Sequence, residues 1–167
     1  MGAPSRTTAA APKTGFEMLR YLHGRPDQAA VLVRFWYAML DECGLLGSGL
    51  VEDWEPRLAR HFNRSMENGT MRWFVAEDDG RIVGTAAAIV AVPESYVFKD
   101  LAATLAGIYV LPGYRKRGIA RTLTQNAIRW CRESGCASVR LRASEAARPL
   151  YESLGFVSGS EMRLDLR

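Results

Sequence analysis

The sequence is poor in the residues that build metal and disulfide sites. Three cysteines (Cys43, Cys131, Cys136) and two histidines (His23, His61) are scattered over 167 residues. The cysteines have no metal-ligand spacing and the histidines no partner motif, so no zinc site is expected. An odd cysteine count points to reduced thiols in a cytoplasm, each thiol serving as a small buried or half-buried apolar residue. No apolar run nears the ~18 residues needed to cross a bilayer, so no membrane role is expected. The opening "MGAPSRTTAAAPKTG" lacks the apolar centre of a secretion signal. Its small and polar residues and two prolines make residues 1–14 an expected disordered tail, with a single domain over 15–167. Gly-Lys-Ser/Thr after a glycine loop is missing, and so is Gly-x-Gly-x-x-Gly; this excludes a Walker loop and a dinucleotide fingerprint.

What is present is charge, unevenly placed. Residues 113–148 carry nine Lys/Arg against Glu133 and Glu145, a net +7, while the remainder carries 13 basic and 16 acidic residues, a net −3. Such segregation suits one anionic ligand site better than a whole-surface nucleic-acid binder.

Hydrophobic spacing predicts helices over 26–44 and 51–69, the first with a Val31, Phe35, Ala38, Met39 stripe and the second with Trp54, Leu58 and Phe62. The period then shortens. Strands are expected over 71–78 and 81–92, joined by a turn ending in Asp-Gly, and over 101–111 after a loop at 93–100. A helix over 118–135, a strand over 138–144, a short helix over 145–155 with Ser144 as its cap and a closing strand over 156–166 complete the order. Hairpins followed by strand–helix–strand crossovers predict an α/β chain with a mixed sheet and helices on its faces.

The segment "GIYVLPGYRKRGIARTL" (107–123) joins a strand to a helix through a basic, glycine-containing loop. The first amides of a helix lack carbonyl partners and, with the helix dipole, hold roughly +0.5 charge. Gly113 and Gly118 permit tight geometry, and the small Gly118 and Ala120 leave a ligand room. These are the parts of a pyrophosphate cradle. The plain alternative for Arg115, Lys116 and Arg117 is a solvated charged turn.

"RKRGIA" resembles the Arg/Gln-x-x-Gly-x-Gly/Ala signature of the GCN5-related N-acetyltransferases. The likeness extends upstream through "IYVLPGYR" and downstream to "ASEAARPLYESLGF" (143–156), and is strong over about residues 71–167. The resemblance implies a single-domain fold with a mixed, mostly antiparallel sheet and a V-shaped splay between the strands at 101–111 and 138–144. It implies acetyl-coenzyme A in that opening, as co-substrate and without a metal. The backbone around Arg115, Lys116, Arg117, Gly118, Ile119 and Ala120 would hold the pyrophosphate. Ile108 and Val110, with Tyr109 between them, would serve the pantetheine arm and acetyl carbonyl. Ser144 stands where many members have a pantetheine-contacting Asn. Tyr151, a core tyrosine by periodicity, takes the family's general-acid position, where a phenol of pKa near ~10 can return a proton to a thiolate. Family members are often dimers, so a homodimer is admitted.

Acetyl transfer to a bound amine needs no covalent enzyme intermediate when the two substrates are held in line. Cys131 and Cys136 lie at the far end of a helix, away from that role. No general base is assigned; Glu77, Glu94, Asp100 and Tyr109 are the side chains near strand ends. Arg34, Trp36, Tyr37, Asp41, Glu42, Tyr96, Phe98 and Lys99 form the expected acceptor side, which suits a small primary amine and leaves a peptide or protein amine open. The rivals are a protein of the same fold that binds or transfers another acyl group, and a basic nucleic-acid module.

Overall fold

The computed structural model of the chain describes residues 19–47, 49–91 and 101–159. One sheet contains β1 (Arg20–His23), β2 (Met71–Asp78), β3 (Arg81–Ala91), β4 (Leu101–Val110) and β5 (Cys136–Arg140), in that spatial order. The pairings from β1 to β4 are antiparallel and β4–β5 is parallel. The expected α/β class and mixed, mostly antiparallel sheet are therefore present. The β2–β3 turn is Asp79-Gly80 with φ of 49° and 75°, the left-handed pair that a two-residue hairpin matched to strand twist requires.

Among the described residues, four helices cover the sheet: α1 (Ala29–Glu42), α2 (Trp54–Glu67), α3 (Ile119–Glu133) and the short α4 (Arg148–Glu152). Alternation along β2 feeds two cores. Trp73 and Val75 pack with Leu32, Val33 and Phe62 of α1 and α2. Phe74 and Ala76 face the other way, with Ile119, Leu123 and Ala127 of α3. A two-residue period in the strand thus meets a 3.6-residue stripe in each helix. The run Ala86–Ala87–Ala88 is fully buried, and its small side chains let helices approach β3 from both faces.

Several expectations needed correction. β1 was not read from the sequence: four residues at a sheet edge carry no measurable period. The α1 stripe is shifted in part: Phe35 is buried as expected, but Val31 is 38% exposed while Leu32 and Val33 are buried. "AAVLVRFWYAML" is apolar nearly all round, so the partners Phe62 and Trp73, not the spacing, select the buried face. Ser144 is not the cap of α4. That position is Ala147, and the Ser144 carbonyl instead accepts the amides of Ala147 and Arg148 at 3.0 Å. β5 begins two residues early and stops at Arg140, because residues 141–144 have no ladder partner among the described residues even though their sequence still alternates. Residues 156–159 are not a strand; the tail, the loop at 93–100 and the rest of the closing strand lie outside the described residues. Among the described residues, no helix is long and apolar enough to cross a membrane.

Candidate active-site cleft

β5 pairs with β4 only from Leu101 to Thr104, while β4 continues to Val110 along β3. From Leu105 onward the β5 side of β4 has no strand beside it among the described residues. The splay opens a cleft of about 470 Å³. Ile108, Tyr109 and Val110 form one wall and Ser144, Leu150 and Tyr151 the other, with the first turn of α3 at the base and the end of α1 at the rim.

A bulge aims the β4 wall. Thr85 pairs with Tyr109 and Ala87 with Ala106, so three steps on β4 match two on β3. The extra residue is accommodated at Gly107, where φ is +58°. The buried Thr85 hydroxyl donates to the Gly107 carbonyl at 2.8 Å and satisfies an acceptor that the bulge removes from the ladder. A Cβ at Gly107 would stand 2.7 Å from the Trp73 ring and 3.0 Å from that of Trp36.

The base of the cleft is a turn rich in unpaired amides. Arg115 is extended, Lys116 is left-handed at φ +62°, and Gly118, the N-cap of α3, is left-handed at φ +80°. Alternation of this kind turns successive N–H groups inward as an anion-binding concavity. The amides of Ile119, Ala120 and Arg121 open the helix and find no backbone acceptor among the described residues. A Cβ at Gly118 would meet nothing within 4 Å, so the space before these amides is open.

Of the eleven site residues expected from the sequence, ten line this cleft; Arg117 does not. Its guanidinium lies over the Tyr114 ring, 5.2 Å from the centroid. Tyr114 in turn donates its hydroxyl to Asp78 Oδ2 at 2.7 Å, tying the turn to the end of β2. Arg115 is also engaged: its Nη2 donates to Glu42 Oε2 at 2.6 Å and its Nε to the Val110 carbonyl at 2.9 Å. The Val110 carbonyl is therefore taken by the protein itself. Tyr109 donates its hydroxyl to the same Glu42 oxygen at 3.2 Å. The Arg115 hydrogen bond, helped by Tyr109, holds the Glu42 carboxyl below the usual carboxylate range. Burial, followed by the Glu42 charge, raises the Tyr109 phenol.

Tyr151 is buried beside the open space, with its ring edge-on to Phe156 at 5.9 Å. Burial, with a smaller effect from Cys43, pushes its phenol up to about 12, so the hydroxyl keeps its proton across the neutral range. Cys43 corrects an expectation: it is exposed and lines the cleft, whereas Cys131 is buried. Met39 and Cys43 are site residues that sequence reasoning missed. The only signal for them was their position at the end of the helix that carries Glu42. Among the base candidates, Tyr109 lines the cleft. Glu77 is buried away from it against Gln28, which donates to Glu77 Oε1 at 3.2 Å, and Glu94 and Asp100 lie outside the described residues. Of the acceptor candidates, Trp36 packs against Phe62 and Trp73, and Tyr37 stacks on Trp54 at 5.0 Å. Among the described residues, no three His, Cys, Asp or Glu side chains are grouped to hold a metal.

Comparison with known proteins shows the family of the chain. Two curated relatives match. One is the glucosamine 6-phosphate N-acetyltransferase of Trypanosoma brucei brucei, 34% identical over 94 residues, which are 56% of this chain and 63% of that protein. The other is an aminoglycoside N(6')-acetyltransferase type 1 of Acinetobacter genomosp. 13, 40% identical over 57 residues, 32% and 39% of the two chains. The chain thus spans less than two thirds of the length of either relative. A crystal structure of a predicted acetyltransferase with acetyl-CoA from Clostridium acetobutylicum superposes with a TM-score of 0.77 at 26% identity, over 89% of this chain and 97% of the other. The profile of the acetyltransferase (GNAT) family matches residues 33–156, which contain the bulge, the amide turn and Tyr151. The chain belongs to the GNAT acetyltransferase family.

Proposed function

We propose that this chain is an acetyl-CoA-dependent N-acetyltransferase that moves an acetyl group directly to the primary amine of a small molecule. The observation that carries the reading is the splay of β4 from β5 directly above the unpaired amides of α3. A diphosphate accepts several amide hydrogen bonds at once, and the open space before Gly118 leaves room for one. Lys116 and Arg121 line the same end of the cleft. The amides of Ile119, Ala120 and Arg121 would hold the diphosphate, and the freed edge of β4 at Ile108 and Tyr109 would hold the pantetheine arm. Acetyl-CoA would supply the acetyl thioester, and the reaction releases its thiol.

Tyr151 holds a proton at its hydroxyl, as a general acid must before the leaving thiolate needs it. Direct transfer fits Cys43, whose sulfur has no histidine or carboxylate hydrogen-bonded to it among the described residues. Both curated relatives bear the names of enzymes acting on amino-sugar amines, which supports a small amine as acceptor. The nucleic-acid reading loses ground because at least four of the nine basic residues of 113–148 are engaged within the protein. Arg115 pairs with Glu42, Arg148 with Glu145, Arg121 bonds Ser153 and Arg117 covers Tyr114.

The test is a panel of amines scored by thiol release from acetyl-CoA, alongside thermal melts with coenzyme A. Coenzyme A should raise the melting temperature, and at least one small primary amine should release thiol. Salt-dependent DNA or RNA binding with no response to coenzyme A would overturn the proposal.

A further inference from the structure

Glu42 lies 73 residues before Arg115, outside every motif that marks the cleft. It is the single carboxylate among the described lining residues. Its Oε2 already receives two donors, Arg115 Nη2 and the Tyr109 hydroxyl. Arg115 is further held by the Val110 carbonyl and lies over the Tyr109 ring, 5.3 Å from the centroid. The residue that opens the amide turn is thus clamped between the end of α1 and the end of β4. Immediately after it comes Lys116, in a left-handed conformation that an ordinary side chain adopts only under constraint. The residue just before Arg115, Tyr114, is tied to the end of β2 by donating its hydroxyl to Asp78.

We propose that Glu42 is a positioning residue for the coenzyme diphosphate: by anchoring Arg115 to α1, it holds the 115–118 turn in the shape that presents its amides. This rests on the coenzyme A reading above. A pre-shaped turn binds an anion without first losing loop freedom, which is where the gain in affinity comes from. The alternative role, pairing with the ammonium of the acceptor, is disfavoured because Glu42 is already neutralised by Arg115 and occupied by Tyr109.

The experiment measures coenzyme A dissociation constants by calorimetry for the wild type, Glu42→Gln, Arg115→Gln and the double variant. Michaelis constants are measured for acetyl-CoA and for S-acetylpantetheine, which lacks the diphosphate. A partly exposed pair of this kind is worth up to about a fivefold effect, so each single variant should weaken coenzyme A about three- to fivefold. The double variant should be no worse than the weaker single. KM for acetyl-CoA should rise more than kcat falls, and KM for S-acetylpantetheine should not move. Unchanged coenzyme A affinity in Glu42→Gln, or additive losses, would overturn the proposal. Equal losses with both thioesters would also do so, by moving Glu42 to the acetyl or acceptor end. A lower melting temperature of the free protein with intact coenzyme A affinity would reduce Glu42 to a structural role. A wild type that binds no coenzyme A would remove the parent reading itself, an outcome distinct from all of these.

Discussion

Gly107→Ala tests the bulge on which the cleft wall depends. Two independent penalties follow from the structure. The backbone sits at φ +58°, where a Cβ costs about 1–2 kcal/mol. The new methyl would also stand 2.7 Å and 2.9 Å from two carbons of the Trp73 ring and 3.0 Å from Trp36. Trp73 is fully buried and bounded by Phe62 at 5.0 Å, so its ring has nowhere to retreat. Overpacking of this kind costs about 1–3 kcal/mol, giving a total of roughly 2–5 kcal/mol. At about 2–4 °C per kcal/mol for a chain of this size, melting should fall by roughly 4–20 °C. Gly113→Ala is the control: no positive φ is required there, nothing lies within 4 Å of its Cβ, and the change should stay within about 0.5 kcal/mol. Differential scanning fluorimetry on both variants, repeated as urea titrations, reads the difference. A Gly107→Ala protein melting within about 2 °C of wild type would show that the bulge yields, and would refute the claim that Gly107 fixes this wall.

Four further outcomes are expected. Gly118→Glu places a carboxylate in the open space before the amides, so coenzyme A should no longer raise the melting temperature; retained stabilisation would locate the coenzyme elsewhere. Tyr151→Phe should lower kcat by about 10²-fold or more with coenzyme A affinity nearly intact, and equal rates would remove the acid role. Because the folded phenol is raised to about 12, above its ordinary value, the neutral-form stability it contributes is whole below pH ~10 and lost as pH climbs toward 12; wild type should therefore lose stability across that window more steeply than Tyr151→Phe. At pH ~8, iodoacetamide should label Cys43 well before Cys131, whose buried thiol is raised to about 11, and coenzyme A should protect Cys43; mass spectrometry of the peptides decides, and unprotected Cys43 would place the ligand away from the end of α1.

The parts legible in the sequence are those whose signal is local. Gly118 before an amphipathic helix, Asp-Gly between two apolar runs and "RPLYESLGF" near the end each carry their meaning within a dozen residues. The edge strand at Arg20–His23 was illegible because a sheet edge needs only four residues and one neighbour. The displaced stripe of α1 was illegible for the opposite reason: a helix apolar nearly all round offers several faces, and only Phe62 and Trp73 choose among them. β5 was overrun because Leu141, Arg142, Ala143 and Ser144 prolong its alternation, while its pairing with β4 ends at Thr104 and no other strand lies beside them among the described residues. Glu42 was visible only as one of eight acceptor-side candidates, since its partner Arg115 is 73 residues distant and no spacing rule spans that gap.

The basic run finds its explanation in what its side chains do not do. Arg115 turns back to α1 and β4, and Arg117 lies over the Tyr114 ring, 5.2 Å from its centroid, so two of the three cations are engaged by the protein itself. On the proposed reading, anion recognition would rest chiefly on the backbone, whose N–H groups have fixed positions and lose no rotamer freedom on binding, unlike the long side chains around them. The same logic applies to the opposite end of the cleft. Past Thr104, β4 has an edge with no strand beside it among the described residues, which a closed sheet would have paired, and α3 has first-turn amides that a capping side chain could have satisfied. Each is a stability cost on its own. Both occur where β5 departs, facing one cavity, and an extended ligand carrying amides and a diphosphate would satisfy the two together.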